Sequence, residues 1–402
     1  MTGERHGTAG YREVFALRAF RALFTAHVVS VVGDQLARVA LVVLVYDRTG
    51  SAALSALAYA LTFLPALVGG PLLAGLADRY PRRTVMITAD LVRAAVVAAM
   101  AWPGLPWQAV CALLVVVQLA GAPAVPARSA LLPALIPDSA VMRTGIAALS
   151  TVTQLGQVLG FAVGGVLVAA LGPGGALLLD AATFGVSALL VAAFVPPVAV
   201  TGPHALGWWE RVRAGAGVVW HDRRLLVLVG YAALSGTYIV GEALAAPYAA
   251  HLGGGPAVVG VLFAAYSAGC AAASLAVAAL PESVQLRLMP LLAVGTGVPL
   301  LGCLADPPLP VVVGLFALSG AASGYHVVAQ PTFVLRTPDA HRGQAVGFAI
   351  TAMQTAQGIG ITLGGLAAER TAPHLVTGAA GGVGVVAALV LAARWRAVQR
   401  RA

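Results

Sequence analysis

Apolar runs of about 20 residues, punctuated by glycine, proline and arginine, follow one another along almost the whole chain. A helix of that length crosses a ~30 Å hydrocarbon layer, so each run predicts a transmembrane helix. Twelve are predicted. The first six lie near 20–46, 52–77, 84–102, 107–127, 143–171 and 174–195, and the second six near 223–250, 256–280, 286–304, 309–335, 343–368 and 374–394. Residues 196–222 change character, with Pro196, Pro197, Gly202 and Pro203 leading into Trp208, Trp209, Glu210, Arg211 and Arg213. The organisation expected is a six-helix bundle over 1–195, a cytoplasmic linker over 196–222 with an amphipathic helix in its second part, and a second six-helix bundle over 223–402.

Composition agrees with lipid as the solvent. The 402 residues are 59% hydrophobic and 10% charged, against about a quarter charged in soluble domains. All 24 basic residues are arginine. Without lysine there is no phosphate-cradling Gly-Lys loop and no Schiff base, so the chain cannot drive itself through such a loop. The net charge of +9 is dispersed over short loops, which argues against nucleic acid. Cys111, Cys270 and Cys303 sit in separate apolar runs without metal spacing and read as small core residues.

The arginines orient the bundle, because positively charged short loops stay in the cytoplasm. Arg5, Arg12, Arg18 and Arg21 precede the first span; Arg79, Arg82 and Arg83 follow the second; Arg128 and Arg143 flank the loop after the fourth. Arg211, Arg213, Arg223, Arg224, Arg287, Arg336, Arg342, Arg394, Arg396, Arg400 and Arg401 continue the alternation, while the opposite loops show Arg48 and Arg370. Both termini are expected to be cytoplasmic, with Trp102 and Trp107 at an outer turn.

The two sets of spans are related. Gln154, Gln157, Gly160, Gly164 and Gly165 recur 200 residues on as Gln354, Gln357, Gly360, Gly364 and Gly365. Pro137 and Asp138 recur as Pro338 and Asp339, one residue out of that register. Span five therefore maps on span eleven in the same orientation. Parallel six-helix repeats are one architecture of alternating access. The glycines make a bare strip that lets another backbone approach and slide.

Charges inside spans cost roughly 2.5–3.5 kcal/mol on insertion scales, so each should face a partner or a wet cavity. Asp34 and Arg38 stand one turn apart and read either as a proton- or cation-handling pair or as a fixed ion pair. Asp90 and Arg93, three apart, read as a structural pair. Glu242 has no arginine within a turn, which suits a proton carrier. Asp180 lies toward the outer end of span six. His326, with Tyr325 and Gln330, makes span ten polar. Gln154, Gln157, Gln354 and Gln357 either line a cavity or tie helices together. Tyr231, Tyr238 and Tyr266 are candidate cavity aromatics, with packing as the alternative for each.

The loop after span two, Ala74-Gly75-Leu76-Ala77-Asp78-Arg79-Tyr80-Pro81-Arg82-Arg83, resembles the G-x-L-a-D-R-x-G-R-R/K signature of the major facilitator superfamily. Ala74 and Pro81 stand where the family has glycine. Phe20-Arg21, Gly33-Asp34, Tyr46-Asp47-Arg48-Thr49-Gly50-Ser51, Pro126-Ala127-Arg128 and Arg342-Gly343 are similar to its twelve-span drug and macrolide efflux-like branch. The resemblance runs over nearly the whole chain and implies an all-α membrane protein of twelve transmembrane helices in two parallel six-helix repeats. It assigns a cytoplasmic gating role to Asp78, Arg79 and Arg82, with topology alone as the alternative reading. In span five, Gly156 to Gly165 resembles the proton-antiporter pattern G-x-x-x-G-P-x-x-G-G, with Phe161 in place of proline.

These readings imply a proton-coupled exporter of small, moderately hydrophobic molecules in a bacterial cytoplasmic membrane, monomeric and without a cofactor. An importer or uncoupled facilitator of the same fold, and a non-transporting sensor or scaffold, remain alternatives. No enzyme is expected, because the acidic and histidine residues fall on different spans without a nucleophile or metal constellation.

Overall fold

In the computed structural model, residues 6–65, 80–136, 138–197, 216–338 and 341–399 are described. Asp78, Arg79, Pro137, Asp339 and most of the expected linker lie outside them. Every described regular element is helical. α1 (His6–Ala16), α2 (Arg18–Thr49), α3 (Ala52–Leu61), α4 (Arg82–Met100), α5 (Trp107–Gly121), α6 (Ala124–Leu135) and α7 (Ser139–Phe194) fill the first half. α8 (Arg223–Ala233), α9 (Ser235–Tyr238), α10 (Val240–Ala243) and α11 (Ala245–His251) occupy the place of span seven. α12 (Pro256–Ala278), α13 (Glu282–Leu301), a 3₁₀ turn (Gly302–Ala305), α14 (Leu309–Ala322), α15 (Tyr325–Arg336), α16 (Arg342–Ala368) and α17 (Pro373–Gln399) complete the chain. Helix therefore lies at each of the twelve predicted places, the second described only through Pro65. Among the described residues eight helical stretches are long and apolar enough to cross a membrane.

Sequence accounts for the interruptions. α7, at 56 residues, is far longer than one crossing needs. It breaks at Gly172, where φ is 72° in the region that favours glycine, and Pro173 restarts the helix. The two pieces match the predicted spans five and six. Phe161 lies buried within the first piece, and the break comes eleven residues later. In span seven Pro247 lacks the N–H that would bond Ala243, and the helix is divided between those residues.

Compactness divides the chain into two units, Met1–Ala40 with Pro65–Ala205 and Leu41–Leu64 with Leu206–Ala402. The first unit has a core of Val14, Phe20, Leu23, Met86, Leu131 and Ile136, with Phe15 set edge-on to both Phe20 and Phe24. The second buries Trp395, Tyr231, Tyr248, Tyr325, Phe263 and Phe316. Leu189, Leu275 and Leu335 are 70%, 77% and 74% exposed, while Asp90 and Asp180 are 6% and 1% exposed. That inversion, leucine outside and carboxylate inside, suits a hydrocarbon surround.

The predicted repeat is visible inside each unit. α4 packs along the second piece of α7, and α13 packs along α17, which pairs span three with six and span nine with twelve. Gly156, Gly160 and Gly164 of α7 lie against Val31, Gln35 and Leu36 of α2. Gly360 and Gly364 of α16 lie against Gly236 and Val240 of span seven. Spans five and eleven thus use the same bare strip against spans one and seven. Gly360 is the tightest, since a Cβ there would stand 1.7 Å from the Gly236 carbonyl oxygen.

Candidate functional site

The first unit gathers its intramembrane charges. Arg93 Nη2 on α4 donates to Asp34 Oδ1 on α2 at 2.5 Å. This corrects the pairings expected from spacing: Asp34 bonds Arg93 on a neighbouring helix instead of Arg38 one turn on. Asp90 accepts from Ser187 Oγ at 2.6 Å instead of pairing along its own helix with Arg93. Position on a helix allows an i, i+4 contact, but α4, packed along the second piece of α7, presents Arg93 to Asp34 of α2 and Asp90 to Ser187 of α7, and these cross-helix partners win.

Arg128 on α6 donates from Nη1 to His27 Nδ1 at 2.5 Å. Arginine has no acceptor, so Nδ1 must accept and the ring proton sits on Nε2. That Nε2 stands 2.9 Å from Thr153 Oγ1, whose hydroxyl donates to Leu149 O at 2.9 Å. Asp180 lies beside Thr183, with Oγ1 at 3.2 Å from Oδ1, and interacts electrostatically with Asp34 and Arg93. Arg128 interacts likewise with Asp34 and Asp90. Asp34, Asp90, Asp180, Arg93, Arg128 and His27 therefore form one electrostatic network. A cavity of about 140 Å³ opens among them, lined by His27, Ser30, Asp34, Asp90, Arg93 and Arg128. Sequence reading marked Asp34 but read Asp90 and Arg93 as a structural pair, placed Asp180 toward the outer end of its span and did not single out His27. The signal available was their density: six ionisable residues in apolar runs of one half.

In the second unit Glu242 sits on α10, in the divided stretch of span seven, where it accepts a hydrogen bond from the Tyr59 hydroxyl. It is not the partnerless carboxylate that the lack of a nearby arginine suggested. Tyr59 is itself fixed by stacking on Phe263 at 5.6 Å. Glu242 also interacts electrostatically with Tyr266 and Cys270. His326 stacks on Tyr325 at 4.1 Å, and together with Gln330 it lines a small, mostly apolar cavity of about 110 Å³ that includes Phe333 and Met353.

Tyr238 is placed as a helix tie, a correction to its reading as a cavity aromatic. Its hydroxyl donates to Ala293 O at 2.6 Å, and its ring fills the space above Gly297 and Gly384. Gln154 and Gln157 on α7 and Gln354 and Gln357 on α16 are half-buried. Arg82 donates from Nη1 to Ala130 O on α6 at 2.7 Å, and Arg83 to Ala192 O in the last turn of α7, so both guanidiniums are tied to backbone carbonyls within the first unit.

One cluster escaped sequence reading altogether. His251, Asp306 and His374 bring their ligand atoms within 4.8 Å of one another, a metal-type constellation where none was expected. The three residues are 55 and 68 positions apart, on three different turns, and no spacing rule unites them.

The Major Facilitator Superfamily model matches residues 23–244 and again 225–402. Over 377 residues the chain is 30% identical to the protein named multidrug efflux pump Tap of Mycobacterium tuberculosis, covering 89% of this chain and 88% of the relative. It is 31% identical over 123 residues to macrolide efflux protein A of Streptococcus pyogenes, about 30% of each chain. Among solved structures, a POT family transporter in complex with 5-aminolevulinic acid superposes with a TM-score of 0.77 at 11% identity, covering 95% of this chain and 96% of that one. A bacterial homologue of the human lysosomal transporter Spinster, inward-facing and unoccupied, gives 0.67 at 14% identity, covering 99% and 98%.

Proposed function

The chain belongs to the major facilitator superfamily, and from that membership we propose that it exports small, moderately hydrophobic molecules by proton antiport. The observation that carries proton coupling is the charge balance of the first unit's network. Three carboxylates, Asp34, Asp90 and Asp180, face two guanidiniums, Arg93 and Arg128, around a neutral His27. One negative charge is in surplus in a desolvated setting, and a proton is the smallest species that balances it. Glu242, held by a neutral tyrosine hydroxyl, offers a second carboxylate in a divided helix, the kind of segment from which transporters build coupling sites.

The export direction is supported by 30% identity along nearly the full length of a named efflux pump. Its cavity would be lined by Gln154, Gln157, Gln330, Gln354 and Gln357, with His326 beside it. The six-helix halves over 1–195 and 223–402 rock about that cavity, joined by the linker over 196–222. Asp78, Arg79 and Arg82 latch the cytoplasmic side, the chain acts as a monomer, and both termini lie in the cytoplasm of a bacterial cell.

The test uses proteoliposomes holding the full chain and ethidium as a hydrophobic fluorescent probe. An imposed proton gradient should drive ethidium accumulation, and Asp34→Asn or Glu242→Gln should weaken coupling between probe flux and proton flux. Normal coupled transport by both variants would defeat the proton assignment. Flux in inside-out vesicles reads the direction, and growth of a susceptible host on an antibiotic panel reads the substrate class.

A further inference from the structure

Three turns of the second unit converge outside the charged network. His251 is the last residue of α11, Asp306 follows the 3₁₀ turn, and His374 is the second residue of α17. His251 Nε2 stands 2.9 Å from Asp306 Oδ1 and 3.1 Å from Oδ2. His374 Nδ1 stands 3.5 Å from the same Oδ1, and the two imidazole rings are 4.8 Å apart.

Two features distinguish this from an ordinary His–Asp contact. One carboxylate is approached by two imidazole nitrogens at once. The Nδ1 of His374 is buried and has no hydrogen bond, and 3.5 Å is too long to supply one. Buried nitrogens are normally paired, so this one points to an absent partner.

We propose that His251, Asp306 and His374 bind one divalent cation of the zinc class. Two imidazoles and one carboxylate are the donor set that suits zinc, with water completing the coordination. At metal–ligand distances of about 2.0–2.2 Å, tetrahedral ligands lie about 3.3 Å apart. The 2.9 and 3.5 Å spacings bracket that value, and the remaining separation is no more than 4.8 Å. Small rotations of exposed His251 would close it. The metal joins the ends of α11, the 3₁₀ turn and α17. They alternate with the arginine-bearing loops, so the topology proposed above puts the site at the outer face, open to external metal. Binding itself does not depend on that topology or on proton antiport.

The experiment takes the full-length protein in detergent, stripped with EDTA, and titrates zinc chloride by calorimetry, with Co(II) absorption reporting geometry. Wild type should bind one equivalent of zinc and show the visible bands of tetrahedral cobalt, and its melting temperature should rise on zinc addition. His251→Ala and His374→Ala should each weaken binding at least about tenfold. His221→Ala, an exposed histidine elsewhere, should bind as wild type does. Zinc binding that survives the His251→Ala/His374→Ala double variant, or no saturable binding by wild type, would overturn the proposal. Since His251 is exposed, its variant keeps the test open if His374→Ala fails to fold.

Discussion

Replacing Arg93 with methionine removes the guanidinium that holds Asp34 while keeping a flexible apolar stem in its place. Arg93 is 11% exposed and Asp34 33%. Breaking a fully buried pair by removing one partner costs about 3–5 kcal/mol, chiefly because the other charge is stranded. Water reaches Asp34, so the lower end applies, and about 3 kcal/mol is expected. The guanidinium also lies 3.9 Å from the centroid of Phe184, and losing that contact adds about 0.5–1 kcal/mol. Together these come to about 3.5–4 kcal/mol, which for a domain of roughly 200 residues corresponds to a fall of about 7–16 °C in melting temperature. Asp34→Asn/Arg93→Met removes both charges and should recover most of the loss, because an apolar or neutral replacement of a whole buried pair is often nearly neutral. The double-mutant cycle should then give a coupling of about 2 kcal/mol or more. Thermal unfolding of the four proteins in one detergent, followed by tryptophan fluorescence, reads it. If the double variant falls by the sum of the single losses, the Asp34–Arg93 contact does not hold the network together and the reasoning fails.

Gly360→Ala places a Cβ against the Gly236 carbonyl, a backbone atom that cannot rotate away, and should cost about 1–3 kcal/mol or more. Gly347→Ala on the same helix meets open space and should stabilise by about 0.5–1 kcal/mol; denaturation of the two variants separates close approach from helix propensity. Tyr238→Phe removes the hydroxyl's bond to Ala293 O, a carbonyl within helix α13, and should cost about 0.5–1.5 kcal/mol, with no change in the concentration of ethidium that half-saturates transport. Glu369 follows α16, and its Oε1 accepts from the Ser51 hydroxyl at 2.6 Å and the Ala53 N–H at 2.8 Å. These bonds at the start of α3 hold its carboxyl below the ordinary carboxylate range. Because the folded value is lowered, the stabilisation is complete above the unfolded value and disappears as pH falls through the folded one. Glu369→Gln should therefore flatten the acid limb of a stability–pH curve and leave its slope near neutrality alone; an unchanged acid limb would refute the assignment.

Periodicity made the backbone architecture legible, and loops and tertiary partners were where it ran out. The Gly156–Gly160–Gly164 strip and its copy could be read directly, because a helical spacing in sequence is a face in space. Gly172-Pro173 announced the break in α7 for the same local reason. The Asp34–Arg38 pairing shows the limit. Both residues share a helix face, yet Arg93 reaches Asp34 from a helix nearly 60 positions away, and no single-chain spacing reports which neighbour stands opposite. Glu242 was misjudged in the same way, since its Tyr59 partner comes from the other half of the sequence. The His251, Asp306 and His374 cluster was illegible because each residue lies on a separate short turn, where neither a period nor a motif operates.

The duplication offers an argument about what the charges are for. Across the stretches 200 to 202 residues beyond Asp34, Asp90, Arg93, Arg128 and Asp180 the sequence carries no ionisable side chain, reading Leu-Ser-Gly at 234–236, Pro-Leu-Leu at 290–292, Ala-Val-Gly at 293–295, Val-Ala-Gln at 328–330 and Ala-Gly-Gly at 380–382. The second half reproduces the Gly strip of span five and the pairing of the third and sixth helices, and it does so with uncharged residues where the first half is charged. Packing of this fold therefore does not require the ions, and burying them costs free energy that an apolar core avoids. A group that the scaffold tolerates at a cost, and that the corresponding stretch of the other half lacks, is the natural candidate for the proton coupling proposed above. In a helical membrane protein whose other half dispenses with it, a network with one surplus carboxylate around a small cavity is where a proton has most to gain.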